Sequence, residues 1–222
     1  MKRLICLLFI PFLLLSGCNR KKYNYNKEFY EPFNLHYVKQ CEKFIRRVNK
    51  DKDCDVCFLG DSITEGYDVK NFFPEYKVVN RGISGDFTNG VIDRLEFCVY
   101  DLNPKIVYLM IGTNNLDSCT GNYEAILKLI KEHCPETKVM VLSITPRRGD
   151  DLMDKIRKNN IEIQKFAENQ GYFYVNAFTP MTENNENLVV NESLFMDGLH
   201  PNNDGYKVLT DLVKPTIIEW LK

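Results

Sequence analysis

From residue 35 onward the apolar positions of the chain switch repeatedly between two spacings. Leu35, Val38, Cys41, Ile45 and Val48 recur at helical intervals, and Cys54 to Leu59 is then a short, mostly apolar run ending at Gly60. Val78-Val79 reads as a second strand, followed by Asn80-Arg81-Gly82. Val91, Leu95, Cys98 and Leu102 mark a helix closed by Pro104, and Ile106 to Ile111 is the third and most apolar strand. Tyr123, Ile126, Leu127 and Ile130 make the next helix, stopped at Cys134-Pro135, before Val139 to Ile144 as the fourth strand. Met153, Ile156, Ile163 and Ala167 continue as a helix closed by Gly171; Tyr172 to Val175 is the fifth strand, and Tyr206, Leu209 and Val213 line the last helix. Strand and helix in strict turn predict an α/β fold, a parallel sheet covered on both faces. No repeat or internal linker interrupts residues 35–222, which are read as one domain. In such a fold ligands bind outside the carboxyl ends of the strands, so chemistry is expected just after each strand.

The first eighteen residues follow another pattern. Met1-Lys2-Arg3 is a short cationic start, and Leu4 to Leu15 is an almost unbroken apolar run ending in Ser16-Gly17-Cys18. The run is shorter than the about 20 apolar residues a spanning helix needs, and its layout is that of a secretory signal peptide. Leu15-Ser16-Gly17-Cys18 resembles the cleavage box of bacterial lipoproteins. That resemblance implies that residues 1–17 are removed, that Cys18 carries lipid, and that the protein is exported and anchored to the membrane of a bacterial cell envelope, on its periplasmic or extracellular face. Residues 18–34 are then a lipidated Cys and a tether, with Arg20-Lys21-Lys22 read as part of a solvated linker.

With Lys+Arg 29 against Asp+Glu 30 in 222 residues, the chain lacks the basic excess of a nucleic-acid binder. At 44% hydrophobic and 27% charged it has the apolar content for a packed core. Beyond Cys6 and Cys18 the cysteines are Cys41, Cys54, Cys57, Cys98, Cys119 and Cys134. Cys54-x-x-Cys57 stands alone, with no second Cys pair or His pair to complete a zinc site. Cys119 and Cys134 bracket a predicted helix about 20 Å long, beyond disulfide reach. Buried free thiols are expected, with no metal and no cofactor; oligomeric state is left open.

What stands after the strands is informative. Gly60-Asp61-Ser62-Ile63-Thr64 follows the first, Asn80-Arg81-Gly82-Ile83-Ser84-Gly85-Asp86 the second, and Gly112-Thr113-Asn114-Asn115 the third; Asp197-Gly198-Leu199-His200-Pro201 precedes the last helix. A hydroxyl, a glycine, a carboxamide and an Asp/His pair on one sheet edge are the parts of an acyl-transfer site. In this order the four segments resemble the blocks of the GDSL, or SGNH, hydrolase family from about Asp55 to the C-terminus. Asn80 to Asp86 and Thr145-Pro146-Arg147-Arg148-Gly149 are most similar to the branch with platelet-activating-factor acetylhydrolase catalytic subunits and bacterial acetylesterases. Asn115 stands where many members carry Asp, though that branch also shows Asn.

The resemblance implies a three-layer α/β/α, flavodoxin-like fold with five parallel strands in the order 2-1-3-4-5. It also implies Ser62 as nucleophile, His200 as its base and Asp197 as the carboxylate that orients the base. The oxyanion donors it implies are the backbone N–H of Ser62, the backbone N–H of Gly82 and the side-chain amide of Asn114. Elimination supports His200 independently: His36 lies in the first amphipathic helix and His133 in a helix's last turn, whereas His200 has Asp197 three residues upstream. A missing Cβ at Gly82 would let a substrate oxygen approach the main chain. Asp61 is expected to order the nucleophile turn, Asp86 and Thr88 to cap a helix, and Arg147 and Arg148 to be solvated loop residues.

The implied activity is that of a serine esterase acting on short acyl esters, acetyl above all, on carbohydrate. The loops 82–89, 114–122 and 147–151 are small, polar or charged apart from Ile83, Phe87 and Leu116, which leaves little surface for a long acyl chain. Phe72, Phe73 and Met196 are the residues that could build a wall for one. A lysophospholipase or thioesterase is the alternative among enzymes. A binding module that kept the fold without turnover is the alternative outside them, although no block is broken. No G-x-G-x-x-G opens the first helix, as a dinucleotide site would require.

Overall fold

Each of the five apolar runs forms a strand, and the strands pair in parallel because a helical segment carries the chain back between them. In the computed structural model the described residues are 21–23, 25–26, 34–149, 151–183 and 189–222. The signal segment 1–17 and Cys18 lie outside them. The strands β1 (Val56–Gly60), β2 (Val78–Gly82), β3 (Ile106–Met110), β4 (Lys138–Leu142) and β5 (Phe173–Val175) make one sheet in the order β2-β1-β3-β4-β5. The helices are α1 (Leu35–Asp51), α2 (Ser62–Glu65), α3 (Val69–Phe72), α4 (Thr88–Cys98), α5 (Cys119–His133), α6 (Leu152–Asn169) and α7 (Asn203–Leu221).

Strand order decides where the helices go. From β2 through β5 every crossover steps in the same direction, and right-handed connections put α4, α5 and α6 on one face, where α1 joins them against α4. The step from β1 to β2 runs the other way, so α2 and α3 lie on the opposite face with α7, where the Tyr67 and Tyr206 rings stack at 5.0 Å. β1 and β3 are buried at every position, as strands covered on both faces must be. Gly60 at the end of β1 sits opposite Gly82 of β2 and Met110 of β3, which aligns the loops carrying the four sequence blocks.

Some boundaries depart from the pattern. Cys54 precedes β1, its carbonyl accepting from Lys105 N–H at 3.1 Å. The helix expected through Leu102 stops at Cys98, and a 3₁₀ turn over Tyr100–Leu102 ends on Asn103 in left-handed backbone, φ 46°. Two short helices, α2 and α3, follow β1 where hydrophobic spacing announced none. The expected tether is not simply solvated where it is described: Tyr23 and Tyr25 meet Phe97 edge-on at 5.5 and 5.8 Å, and Lys21 bridges Asp101 and Glu96. All six cysteines after Cys18 are buried and free, and burial raises the Cys54 and Cys119 thiols to about 11, so both stay protonated and unreactive.

Asp86 and Thr88 do not cap α4. The N-cap position is Phe87, without a side-chain cap bond, and Thr88 is the first helical residue, with its hydroxyl accepting from the side chains of Asn115 and Asn122. Asp86 instead turns inward to Arg94, a fully buried guanidinium. Arg94 Nε donates to Asp86 Oδ2 at 2.9 Å, Nη1 to the Arg81 carbonyl at 2.7 Å and Nη2 to the Gly60 carbonyl at 2.9 Å. Removing one partner of a buried ion pair leaves the other uncompensated. Arg94→Met should therefore lower the urea-unfolding free energy by about 3–5 kcal/mol, and adding Asp86→Asn to it should recover part of that loss.

Candidate active site

β1 delivers its last residue, Gly60, to the sheet edge, and the chain turns at once into a helix. Asp61 makes that turn: it is the N-cap of α2, its buried carboxylate accepting from Ile63 N–H at 3.0 Å. Ser62 is therefore the first helical residue, half-buried at the end of the strand. The turn is held by the neighbouring helix as well, because the buried Tyr206 hydroxyl of α7 donates to the Ile63 carbonyl at 2.9 Å.

His200 arrives on the loop before α7. A bridge between Phe195 and Pro201 and a bond from Met196 N–H to the His200 carbonyl at 2.8 Å close this loop. Asn202 then caps α7, accepting from the N–H groups of Asp204 and Gly205. Inside the loop Asp197 Oδ1 accepts the backbone N–H groups of Leu199 at 3.0 Å and His200 at 2.8 Å, and Oδ2 lies 2.7 Å from His200 Nδ1. Those bonds to His200, backbone and side chain, pull the Asp197 carboxyl down to about 2. An ionised carboxylate only accepts, so His200 Nδ1 carries the proton and the neutral ring's Nε2 is the acceptor. His200 Nε2 lies 3.0 Å from Ser62 Oγ, across 138 residues of sequence. The structure thus brings Ser62, His200 and Asp197 into one hydrogen-bonded chain.

The two glycines that follow Asn80 have different surroundings, and Gly82 does not offer the free N–H and open approach expected of it. The Gly82 N–H donates to Asn80 Oδ1 at 2.8 Å, so it is already engaged. Nor does the missing Cβ of Gly82 open a path for substrate, since a Cβ there would stand 2.1 Å from Glu65 N and 2.6 Å from Thr64 C. Gly82 is small because β2 packs on the backbone of α2. Gly85 has the properties sought at Gly82. It has φ +75°, open space where a Cβ would stand, and an N–H with no partner among the described residues. The signal for it was the second glycine of Gly82-Ile83-Ser84-Gly85, but only the backbone angles separate a packing glycine from a turn glycine. Asn114 follows β3 and donates one amide hydrogen to the Asp86 carbonyl at 3.0 Å, which leaves its second hydrogen beside the Gly85 turn.

The surrounding residues are more committed than loop residues usually are. Arg147 Nη1 donates to the Thr113 carbonyl at 3.1 Å, next to Asn114. Arg148 forms a two-point pair with Glu192 at 2.7 and 2.8 Å. Asn115 holds the start of α4 through Thr88. Phe73 is 0% exposed in the core and cannot wall the site, whereas Phe87 at 45% and Met196 at 70% stand in solvent next to Asp86 and Asp197.

Comparison with known proteins shows the family and the fold. The model of the GDSL-like Lipase/Acylhydrolase family matches residues 58–208. The alpha1 subunit of platelet-activating factor acetylhydrolase IB from Bos taurus is 35% identical over 123 residues, 50% of this chain and 53% of that protein. The chain spans about half the length of the curated relatives it matches. The crystal structure of a GDSL-like lipase from Bacteroides thetaiotaomicron superposes with a TM-score of 0.70 at 28% identity, over 82% of this chain and 97% of that one. An acetylxylan esterase from Geobacillus stearothermophilus shares the fold, with a TM-score of 0.60 at 20% identity over 75% of this chain and 94% of that one.

Burial pushes the Asp61 carboxyl up to about 7. An acid whose folded value is raised contributes stability that is fully present below its unfolded value and lost as pH rises through the folded one. Asp61→Asn keeps the oxygen that accepts Ile63 N–H but never ionises. Urea unfolding as a function of pH should therefore show the variant gaining on the wild type as pH rises from about 4, with the gain levelling off above about 7.

Proposed function

Because the chain belongs to the GDSL-like Lipase/Acylhydrolase family, we propose that it is a serine carboxylic ester hydrolase working through an acyl-enzyme on short acyl esters. The observation that carries this is the chain from Asp197 through His200 to Ser62, with separations of 2.7 and 3.0 Å. A serine hydroxyl is a weak nucleophile until a base removes its proton. Ser62 Oγ attacks the ester carbonyl while its proton passes to His200 Nε2, and Asp197 stabilises the imidazolium that forms. The negative oxygen is received by the Ser62 and Gly85 N–H groups and the second hydrogen of the Asn114 amide. His200 then gives its proton to the departing alkoxide, which leaves Ser62 acylated. Water, deprotonated by the same nitrogen, releases the carboxylic acid and restores the serine.

Acetyl is the acyl group we favour, in keeping with the matched acetylhydrolase subunit. Burial of a chain yields about 0.8 kcal/mol per CH₂, and among the described residues adjoining the site residues in sequence the exposed large apolar side chains are Phe87 and Met196. The polar and charged loops 114–122 and 147–151 suit a polyhydroxy alcohol part, and so a carbohydrate ester. The same two side chains are what a longer acyl chain would use, which keeps a lysophospholipase or thioesterase as the second reading. We further propose that Cys18, outside the described residues, anchors the exported protein to the envelope membrane.

Ser62→Ala should abolish ester hydrolysis with the melting temperature retained, and an organophosphonate should label Ser62 in the wild type. Turnover by Ser62→Ala would refute the nucleophile. Asn114→Ala should lower kcat by about 10²–10³, the usual worth of one oxyanion donor, with KM little changed. On a panel from acetyl to dodecanoyl esters, kcat/KM should be highest for acetyl; an octanoyl ester turned over faster would favour the second reading. Cys18→Ser should move the protein from the membrane fraction to the soluble one.

A further inference from the structure

Ile83 to Asp86 is a tight turn, closed by Asp86 N–H donating to the Ile83 carbonyl at 3.1 Å. Gly85 at its third position has φ +75°, the type II form. Type I and type II turns differ by a flip of the central peptide, the one between Ser84 and Gly85. That flip would turn the Gly85 N–H away from its present direction. What holds the turn in one form therefore decides whether this donor faces the substrate.

Glu65, the last residue of α2, grips the turn from below. Its Oε2 accepts Ser84 N–H at 2.6 Å and Ser84 O–H at 2.5 Å. Its Oε1 accepts Gln40 Nε2 at 2.5 Å, and His36 Nε2 lies 3.1 Å from Oε1 and 3.0 Å from Oε2. Ser84 N–H and the Gln40 amide nitrogen can only donate, so the site calls for a side chain that accepts from both oxygens, which an ionised carboxylate does. Burial opposes that charge, but the bonds from Ser84 and His36 outweigh it and hold the Glu65 carboxyl below its ordinary range. At the other end of the turn Asn114 holds the Asp86 carbonyl at 3.0 Å. The turn is thus fixed on both sides of the open Gly85 N–H.

We propose that Glu65 is a positioning residue for ester hydrolysis, fixing the Ser84–Gly85 peptide so that the Gly85 N–H is aimed at the developing oxyanion, with His36 and Gln40 of α1 holding the carboxylate in place. The inference rests on the esterase reading above and assigns a role to a residue that does not touch substrate. It also explains why α1 reaches the catalytic edge, because its first two turns supply the support.

Glu65→Gln keeps the size of the side chain and places an NH₂ among donors. With an acetyl ester its kcat should fall about ten- to a hundredfold, less than the about 10²–10³-fold lost with a donor itself. KM should stay within about threefold, because the loss is confined to the transition state. Affinity for a boronate that forms a tetrahedral adduct with Ser62 should fall in step with kcat, a readout that simple loosening of α2 would not move selectively. Unchanged kcat and boronate affinity in a variant whose Ser62 is still phosphonate-labelled would overturn the inference alone. Failure to label Ser62 in the wild type would overturn the esterase reading and the inference with it. Should Glu65→Gln not fold, Ser84→Ala decides: a lower kcat at constant KM supports the positioning role, and wild-type kcat overturns it.

Discussion

A single buried guanidinium organises the catalytic edge. Arg94 takes the carbonyls at the ends of β1 and β2, those of Gly60 and Arg81, and the carboxylate of Asp86 in the turn beyond β2. The Gly60 carbonyl also accepts Ile83 N–H at 3.1 Å, and a carbonyl has room for a second donor. Arg94 meets both carbonyls with the same planar fork that neutralises Asp86, and the point charge of a lysine would not present donors in three directions. The nucleophile turn, the Gly85 turn and the start of α4 are thereby referred to one rigid centre. The desolvation cost of a charge at this depth is tolerated because every direction of the fork meets an acceptor, with Cys98 Sγ a further contact at 3.6 Å.

On that centre the site is assembled from parts with different tolerances. Ser62 sits where a strand becomes a helix, and the turn that carries it is held by the Asp61 cap and by Tyr206 of α7 in the same layer. His200 comes from a loop, but one closed on itself and pinned to the start of α7, with Asp197 bonded to both backbone and ring of the same residue. A base on a loop is sound when the loop's own hydrogen bonds replace those of secondary structure. The Gly85 turn is the softest part, since a peptide flip is all that separates two of its forms. It is held on both sides, by Glu65 and by Asn114.

The alternation of apolar runs was enough to determine the α/β class, the five strands and the edge on which chemistry would stand, because period 2 and period 3.6 are imposed by backbone geometry before any packing occurs. The order of the four blocks marked Ser62, Asn114, Asp197 and His200, and spacing alone joined Asp197 to His200. What the chain could not announce were contacts between residues far apart in sequence. Arg94 reads as a polar position in an amphipathic helix until the sheet places three acceptors around it. Nothing in the sequence sets Glu65 apart until α1 and the Ser84 turn close on it. Asp86 looked like a helix cap because its neighbours in sequence are a helix start, and it became an ion-pair partner because its neighbour in space is Arg94. Gly82 and Gly85 are alike in sequence, and only the fold packs one against the backbone of α2 and leaves the other open. Local propensity and periodicity are properties of the chain itself. Which buried charge finds a partner, and which N–H is left free, depends on what the tertiary structure brings within about 3 Å.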